Sequence, residues 1–397
     1  MILIGVIPGP KEPSLTQINH LLAPLVDDLL HYWNPGVWYS ETPNFPLGRL
    51  IRAALVPLIC DLPEARKVAG FSSHSSTNFC SRCGLSKSNI NELDLSKWPS
   101  RDVRSHRKHA QKWQSAPNPN QQKKLVRKHG VRYSELLRLP YWRPSDFVVI
   151  DTMHGILLRA LKRHCAEIWK MGAHLTDIPQ MDLNAIIDYL LPPGEDSDSD
   201  LSDFDFHAGI HRASSTPSED SDVSNDVTKG GKGILGSQTL AALWTDMAKT
   251  SLPSWITRAP SRVGSSKVGK LSADQWRTTC TVHLPITLIR LWAPQAETSL
   301  ARRLLDNFLD LVYATRIAHS RTMTAQLAED FSKFFHRYLV GLRDLFPEFP
   351  LTPYHHLCLH LPFFFDQFGP THAWRCFAFE RGNYVLQQIQ TNGKFGT

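Results

Sequence analysis

The sequence predicts an α/β protein with a large all-α insertion. Two short apolar runs, 2–7 and 53–60, are typical of buried strands, and residues 21–33 between them repeat apolar side chains at helical spacing. Residues 147–150 form a third short run, rich in β-branched side chains. Helical periodicity resumes near Ser237 and dominates residues 272–346. Strands alternating with a helix, followed by a long helical body, indicate this fold class.

Composition divides the chain into five segments. Residues 1–78 contain the strand, helix and strand, and residues 79–191 contain a cysteine pair and a basic region that we expect to be partly helical. Residues 192–233 are poor in large apolar side chains and cannot bury enough surface to offset their ordering entropy, so we expect a disordered acidic insertion. Residues 234–350 form the helical body, and residues 351–397 contain a histidine group and a terminal helix.

The charge distribution favours a polyanionic partner. The 397 residues include 44 Lys and Arg and 37 Asp and Glu, for a formal net charge of +7. Residues 195–226 contain ten acidic side chains and one basic side chain, which leaves 43 basic and 27 acidic side chains elsewhere. Such an excess suits nucleic acid, because neutralised phosphates release their counterions. A merely solubilising surface is the alternative interpretation.

Cysteine use and hydropathy indicate the kind of cellular compartment to expect. The seven cysteines are odd in number and mostly isolated, which favours a reducing compartment over a disulfide framework. No uninterrupted apolar stretch approaches the roughly 20 residues that a membrane span needs. We therefore expect no membrane association.

A CxxC pair, Cys80 and Cys83, is the most specific motif. The glycine that follows allows the backbone to fold around a metal ion, and zinc is favoured over a redox pair because no βαβ pattern surrounds the motif. Structural zinc takes four ligands, so two more must come from elsewhere in the chain. The segment 355–360 offers several candidates, and its register stays open because helical geometry pairs His356 with His360 whereas His355 and His360 are splayed. Cys358 is a further candidate.

Two carboxylates adjoin these zinc half-sites. Asp61 ends an apolar run before the cysteines, and Glu380 follows the histidines. A zinc clamp would carry the two carboxylates towards each other, where they would bind Mg²⁺ or Mn²⁺ and activate water against phosphodiesters. The alternative for Asp61 is helix capping, which the local sequence favours more strongly. Glu380 can likewise be an ordinary first-turn glutamate.

Two further features have both functional and structural interpretations. Asp151 and His154 follow the third apolar run and are either an active-centre pair that holds DNA or a metal-bound water, or a helix cap with a partly buried histidine. Trp113 and Tyr133 lie in or beside a basic block and are candidates for stacking on bases. The predicted DNA contacts in this block, which is otherwise a solvated face, are Arg101, Arg104, Arg107, Lys108, Lys112, Lys123, Lys124, Arg127 and Lys128.

Taken together, these motifs resemble the transposases of CACTA (En/Spm)-type DNA transposons, in the divergent form of basidiomycete fungi. The similar stretches cover most of the chain outside the acidic insertion and comprise residues 5–10, 24–27, 61–63, 79–83, 151–154, 269–276, 379–381 and 391–393. The resemblance implies an RNase H-like core with a DDE metal site, in which Asp61 is the second carboxylate and Glu380 the third. It also implies that Asp151 and His154 fill a D/CxxH element of the family.

The zinc motifs also resemble the catalytic core of the V(D)J recombinase, in which a CxxC and a later HxxxxH jointly hold zinc. This resemblance favours His355 over His356 as the partner of His360. It also implies that the helical segment between His154 and His355 is an insertion domain.

One departure from the family pattern changes the expected activity. The family's first catalytic Asp lies on a strand upstream of the element at residues 5–10, whereas the first Asp here is Asp27, on a helix. We therefore expect a truncated, partial RNase H-like core that lacks its first strand and binds DNA without efficient cleavage. The resemblance implies a nuclear protein that binds double-stranded DNA at transposon ends, and it leaves homo-oligomerisation open. A domesticated zinc-stabilised DNA-binding or interaction protein is the alternative.

Overall fold

Helices make up most of the described chain, and one two-stranded sheet accompanies them. The computed structural model describes residues 4, 5, 7, 12–171, 233–265 and 268–388. The predicted strand at residues 2–7 and the predicted disordered insertion therefore lie almost entirely outside the described residues. Among the described residues, no helix is long and apolar enough to cross a lipid bilayer.

The elements before residue 150 are short and surround the cysteine pair. The helices and strands are α1 (Gln17–Trp33), β1 (Val37–Tyr39), β2 (Arg49–Ile51), α2 (Leu62–Ala69), α3 (Val103–Gln114), α4 (Pro119–His129) and α5 (Pro144–Phe147). Single 3-10 turns occur at Lys87–Asn89, Leu95–Lys97 and Glu135–Arg138. Strands β1 and β2 form an antiparallel hairpin in which Val37 pairs with Ile51.

The later elements are longer and entirely helical. They begin with two π-helical segments, Met153–Leu161 and Arg163–Ile168, and a third π-helical segment, Thr279–His283, follows later. The α-helices are α6 (Ser237–Lys249), α7 (Ala273–Thr278), α8 (Leu284–Trp292), α9 (Leu300–Ala318), α10 (Ala325–Leu345), α11 (Pro353–Cys358), α12 (Leu361–Phe368) and α13 (Phe377–Gln387). A 3-10 turn at Thr371–Ala373 precedes α13.

Helix α1 confirms the first predicted helix, but the predicted strand at residues 53–60 is wrong. Within that run only Leu58 pairs, in a single parallel bridge with Val148. Its N–H donates to Phe147 O at 2.8 Å, and Val149 N–H donates to Leu58 O at 3.3 Å. Helix α5 ends at Phe147 and helix α2 begins at Leu62, so the two runs lie side by side only near Leu58 and Val148 and form one bridge.

The small sheet and the abundant helices agree with an α-rich protein that has a minor β component. Since β1 and β2 are the two strands among the described residues, the expected RNase H-like core is not confirmed. The parallel bridge at Leu58 nevertheless joins the two apolar runs that precede Asp61 and Asp151.

A large hydrophobic core links the cysteine pair to the helices at the end of the chain. Phe79, Cys80, Leu357 and Phe364 belong to one buried cluster, which also includes the side chains between α9 and α10. A smaller cluster around Val26, Ala65, Phe71 and Trp142 packs α1, α2 and α3 together. The predicted segment boundaries at 78, 191, 233 and 350 stay predictions.

Helices α9 and α10 pack closely against each other. Asn307 Nδ2 donates to Tyr338 O at 2.8 Å, and a Cβ at Gly341 would lie only 2.5 Å from that nitrogen. Glycine at this position therefore permits the close approach of the two helices. Arg337 pairs with Asp310 across the same interface.

Phe308 on α9 lies at the centre of this core, fully buried against the rings of His164 and Trp169. Replacing Phe308 with Ala should lower the free energy of unfolding by about 3–5 kcal/mol, because it removes a buried ring and leaves a cavity. The measurement is a urea titration followed by circular dichroism. Leu300→Ala, on the same helix but 63% exposed, should change stability by less than about 0.5 kcal/mol. Equal effects of the two substitutions would contradict this packing.

His164 is a buried titratable group within the same core. Its ring is fully buried, and Nδ1 lies 3.2 Å from the hydroxyl of Tyr338. Burial, followed by the nearby charge of His355, lowers the pKa of His164 to about 3. The unfolded chain binds a proton at this side chain near pH 6.5 and the folded protein does not, so protonation favours unfolding between those two values.

Stability should therefore fall as the pH drops from about 6.5 towards 3. In His164→Gln, the slope of the free energy of unfolding against pH should be smaller by about 1.4 kcal/mol per pH unit between pH 6 and 4. Urea titrations at several pH values measure that slope. His20→Gln removes an exposed histidine and should keep the wild-type slope. An unchanged slope in His164→Gln would contradict the neutral, buried state of this ring.

Candidate metal centre

Cys80 and Cys83 form a tight knuckle of backbone around their own sulfur atoms. The N–H groups of Arg82 and Cys83 lie 3.3 and 3.2 Å from Cys80 Sγ, and the N–H of Leu85 lies 3.5 Å from Cys83 Sγ. Both thiols are almost fully buried. Amide donors directed at sulfur stabilise the thiolate, which is the form that binds metal.

A second segment of chain holds this knuckle in place. Cys83 forms an antiparallel bridge with Ser100, and Gly84 N–H donates to Pro99 O at 2.7 Å. Arg101 Nε donates to Cys83 O at 2.9 Å. Arg101 therefore has a structural role, and its predicted DNA contact stays a prediction.

His356 and His360 complete a tetrahedron of donor atoms with the two cysteines. His360 Nε2 lies 3.3 Å from Cys80 Sγ, His356 Nε2 lies 3.3 Å from Cys83 Sγ, and the two nitrogens are 3.2 Å apart. Zinc bonds of about 2.3 Å to sulfur and about 2.05 Å to nitrogen separate tetrahedral donors by roughly 3.3 Å for two nitrogens to roughly 3.8 Å for two sulfurs. These four side chains can therefore hold a metal ion such as Zn²⁺.

The favoured assignment of His355 as a zinc ligand is wrong. His355 is buried, but its Nδ1 accepts the N–H of Thr352 at 3.3 Å and thereby completes the cap of α11. Five residues along a helix rotate a side chain by about 140°, whereas four residues rotate it by about 40°. Because the chain around 353–360 is helical, His356 shares a face with His360, and His355 faces the core beside Tyr338.

Aromatic side chains enclose the imidazoles. The ring of Trp98 lies 4.2 Å from that of His356 and 4.9 Å from that of His360, measured between centroids, and Phe79 packs edge-on against His356 at 4.8 Å. Trp98 is itself fixed by a hydrogen bond from Nε1 to Glu92 O at 3.0 Å. These contacts restrict the rotation of both imidazole rings and exclude water from the cluster.

Charge around the cluster favours ionised sulfur at Cys80. Burial alone would raise the pKa of Cys80, but the hydrogen bond with Cys83, together with the charge and hydrogen bonds of His356 and His360, holds that pKa well below its usual range. The hydrogen bond with Cys80, followed by burial, raises the pKa of Cys83. The metal-free pair thus shares one proton, and a bound divalent ion would release it.

A buried arginine, Arg66, lies near the thiols. Arg66 donates from Nη1 to Ser72 O at 2.6 Å and from Nη2 to Phe79 O, just before the knuckle. Burial lowers the pKa of Arg66 to about 10, and the charge of Cys80 acts in the opposite direction. Arg66 therefore orients the knuckle and offsets its negative charge.

The structure brings Asp151, His154 and Glu380 together. His154 Nδ1 lies 2.7 Å from Asp151 Oδ2, and His154 Nε2 lies 3.2 Å from Glu380 Oε1. Burial would lower the pKa of His154, but the hydrogen bonds with Asp151, Cys376 and Glu380 raise it to about 12. The imidazole therefore bridges a buried carboxylate and a half-exposed one.

Asp61 stands apart from that group and has the capping role that its local sequence favours. Its Oδ1 accepts the N–H of Glu64 at 3.0 Å at the start of α2. Asp61 and Glu380 do not share a metal-ligand group among the described residues. Burial, followed by the nearby charge of Cys376, raises the pKa of Cys60 to about 12, so the residue before Asp61 lies near the start of α13.

The sequence interpretation missed Cys376. Its N–H donates to Asp151 Oδ1 at 2.8 Å, and its buried thiol joins Asp151 and His154 in one group of close ligand atoms. The available signal was its spacing, because Cys376 precedes Glu380 by four residues and so shares a helix face with it.

Seven of the nine predicted DNA contacts are exposed on a basic hairpin formed by α3 and α4. The exposed side chains are Arg104, Lys108, Lys112, Lys123, Lys124, Arg127 and Lys128. Arg107, like Arg101, instead donates to backbone carbonyls inside the protein, those of Leu137, Leu139 and Trp142. Trp113 is buried, which removes it as a stacking platform for bases.

A cleft of about 1460 Å³ runs between α2 and this basic hairpin. Asp61, Glu64 and Lys67 lie on one side of it, and Lys123 and Arg127 of α4 lie on another. The cleft thus combines the candidate carboxylate with part of the basic surface.

No protein-family model matches the chain, and no curated protein matches it either. The transposase resemblance therefore rests on the motifs and their order along the sequence.

Replacing one histidine at a time distinguishes the two possible ligand registers. His356→Gln should lower the zinc content by one ion per chain, because it removes one of four donors. His355→Gln should retain the zinc, since glutamine at this position preserves the capping box. The zinc content of purified, dialysed protein is measured by inductively coupled plasma mass spectrometry. Loss of the ion in His355→Gln but not in His356→Gln would restore the original assignment.

Proposed function

We propose that this chain is a zinc-clamped nuclear protein of the CACTA transposase type, which binds double-stranded DNA without cleaving it efficiently. The observation that carries the proposal is the tetrahedron in which an early CxxC meets two late histidines. The V(D)J recombinase core, which the zinc motifs resemble, has a CxxC followed by an HxxxxH, whereas the paired histidines here, His356 and His360, are spaced HxxxH. The cluster supplies a physical reason for the order of the two motifs.

The zinc ion in this proposal is structural. Four protein ligands leave no position open for water or substrate, which is the arrangement of structural zinc sites. The ligand pairs are separated by 273 and 280 residues, so one ion would tie the beginning and the end of the described chain. A cytosolic zinc hydrolase would need an open position at this ion, and this donor set does not supply one.

The basic hairpin supports DNA as the partner. Residues 103–129 contain eight Lys and Arg side chains and no Asp or Glu. Arg104, Lys108 and Lys112 recur every four residues, which places them on one face of α3. Such a face fits the phosphate backbone and gives binding that is tolerant of sequence and sensitive to salt. Transposon ends as the particular DNA, and homo-oligomerisation on it, follow from the resemblance.

The placement of the acidic side chains supports binding without efficient cleavage. Two-metal phosphodiester chemistry needs carboxylates that converge on Mg²⁺ or Mn²⁺ ions. Asp61 caps α2, while Glu380 pairs with His154, so the two predicted catalytic carboxylates have separate partners. The alternative is a domesticated interaction protein that has the same zinc clamp but does not need to bind DNA.

The DNA proposal is tested by removing four positive charges from the hairpin. In Lys108→Ala/Lys112→Ala/Lys124→Ala/Lys128→Ala, binding to a double-stranded oligonucleotide should weaken at least about tenfold at 0.1 M salt. The slope of the logarithm of the affinity against the logarithm of the salt concentration should flatten by about 3 to 4, since each lost phosphate contact removes about 0.9. Fluorescence anisotropy over a range of salt concentrations measures both quantities.

A matched control removes the same charge elsewhere. Lys249→Ala/Arg262→Ala/Lys270→Ala/Arg316→Ala alters four exposed basic residues outside the hairpin and should keep most of the affinity and slope. Equal losses of affinity in the two variants would show that the binding is nonspecific attraction by net charge. Absence of binding by the wild-type protein at low salt would favour the interaction-protein alternative, and Mg²⁺-dependent nicking would contradict the inactive state.

A further inference from the structure

Asp151, His154 and Cys376 form a second cluster of metal-ligand side chains, separate from the zinc tetrahedron. One ligand atom from each residue lies within 4.8 Å of the others. Asp151 and Cys376 are 5% and 3% exposed, so two of the three donors are buried side chains. The cluster joins Asp151, which follows the Leu58–Val148 bridge, to Cys376 at the start of α13.

Each side chain in this cluster is oriented by a separate contact. Asp151 Oδ1 accepts the N–H of Cys376 at 2.8 Å, which leaves Oδ2 directed at His154. His154 Nε2 faces Glu380 Oε1 at 3.2 Å, which leaves Nδ1 within the cluster. The residue whose N–H orients Asp151 is Cys376 itself, so the same hydrogen bond also positions the Cys376 thiol. Asp151 Oδ2 also accepts the backbone N–H of His154 at 2.9 Å and lies 2.7 Å from His154 Nδ1, so a bound ion would replace the hydrogen bond between Oδ2 and Nδ1.

We propose that Asp151 Oδ2, His154 Nδ1 and Cys376 Sγ bind a second divalent ion, Zn²⁺ in the cell, with one coordination position open. One oxygen, one nitrogen and one sulfur donor suit an ion of borderline softness, whereas Mg²⁺ and Ca²⁺ prefer oxygen alone. Binding releases to solvent the thiol proton of Cys376 and the proton on His154 Nδ1. The remaining N–H of His154 then donates to Glu380, as ligating histidines commonly do to a nearby carboxylate.

The open position follows from the number of ligands. Three protein donors leave the fourth position of a tetrahedral ion to water or another oxygen ligand, in contrast to the closed Cys80–His360 cluster. Glu380 is half exposed and gives this side of the cluster access to solvent. The inference goes beyond the proposed function, because a second ion would bind whether or not the protein binds DNA.

The competing arrangement contains no ion. In that case His154 remains a charged imidazolium between Asp151 and Glu380, and Cys376 remains a buried thiol. The two arrangements differ in the number of metal ions and of metal–sulfur bonds per chain, and both quantities can be measured on the intact protein.

The experiment saturates the full-length chain with zinc, removes free metal by dialysis and counts the bound ions by mass spectrometry. Wild-type protein should hold two ions per chain. Cys376→Ala and Asp151→Asn should each hold one, because each removes one of three donors; Asp151→Asn keeps an oxygen that can accept the Cys376 N–H. Cys280→Ala removes a fully buried thiol outside both clusters and should hold two.

Titration of the metal-free wild-type protein with Co²⁺ gives a readout that needs no variant. The near-ultraviolet charge-transfer band reports cobalt–thiolate bonds, so one equivalent should add the intensity of two thiolates and the other equivalent about half as much. A single bound ion in the wild type, or unchanged content in both Cys376→Ala and Asp151→Asn, would overturn the proposal. Failure of the zinc clamp is distinguishable, because it would leave His356→Gln without effect while Cys376→Ala still loses an ion.

Discussion

The meeting of two thiols and two imidazoles in one tetrahedron is the constraint on which the rest of the structure depends. The ligand pairs are 273 and 280 residues apart, and closing so long a loop costs entropy that only strong contacts recover. A bound metal ion would supply such contacts at one point, and the hydrophobic core around Phe79 and Leu357 supplies others. The ring of Trp98 packs on His356, and the guanidinium of Arg101 holds the backbone carbonyl of Cys83. Removal of the ion would leave buried thiols close together and weaken the link between the two parts of the chain.

The contact between the early and late parts of the chain also determines where the acidic side chains lie. The single parallel bridge between Leu58 and Val148 brings the segments before Asp61 and Asp151 side by side, but the two carboxylates then serve different neighbours. Asp61 caps α2 at the edge of the basic cleft, whereas Asp151 turns inward to the N–H of Cys376. The start of α13 lies beside His154 because Cys376 N–H donates to Asp151 and Glu380 faces the imidazole of His154. A polyanion in the cleft and a metal ion at Cys376 would therefore occupy two separate sites.

The sequence predicted local features better than pairings between distant segments. The CxxC pair and helix α1 could be predicted because spacing and periodicity determine them locally, and the capping role of Asp61 was the stronger local interpretation. The predicted strand at 53–60 was wrong because its pairing partner among the described residues, the run at 147–150, begins at the end of helix α5 and pairs at one bridge. His355 was favoured by resemblance, although helical geometry had already pointed to His356. Cys376 was missed because its partners, Asp151 and His154, lie more than 200 residues away. Arg101 and Arg107 show that composition alone does not separate basic side chains that face solvent from those that bind backbone carbonyls of the protein itself.

The central claim is that one metal ion joins the early cysteines to the late histidines. X-ray absorption at the zinc edge tests it most directly, on wild-type protein loaded with a single equivalent of zinc and on the Cys376→Ala variant loaded in the same way. We expect a first shell of two sulfurs at about 2.3 Å and two imidazole nitrogens at about 2.0–2.1 Å in the variant, with imidazole scattering beyond the first shell. A first shell with fewer than two sulfurs, or without imidazole, would contradict the clamp and the functional proposal built on it.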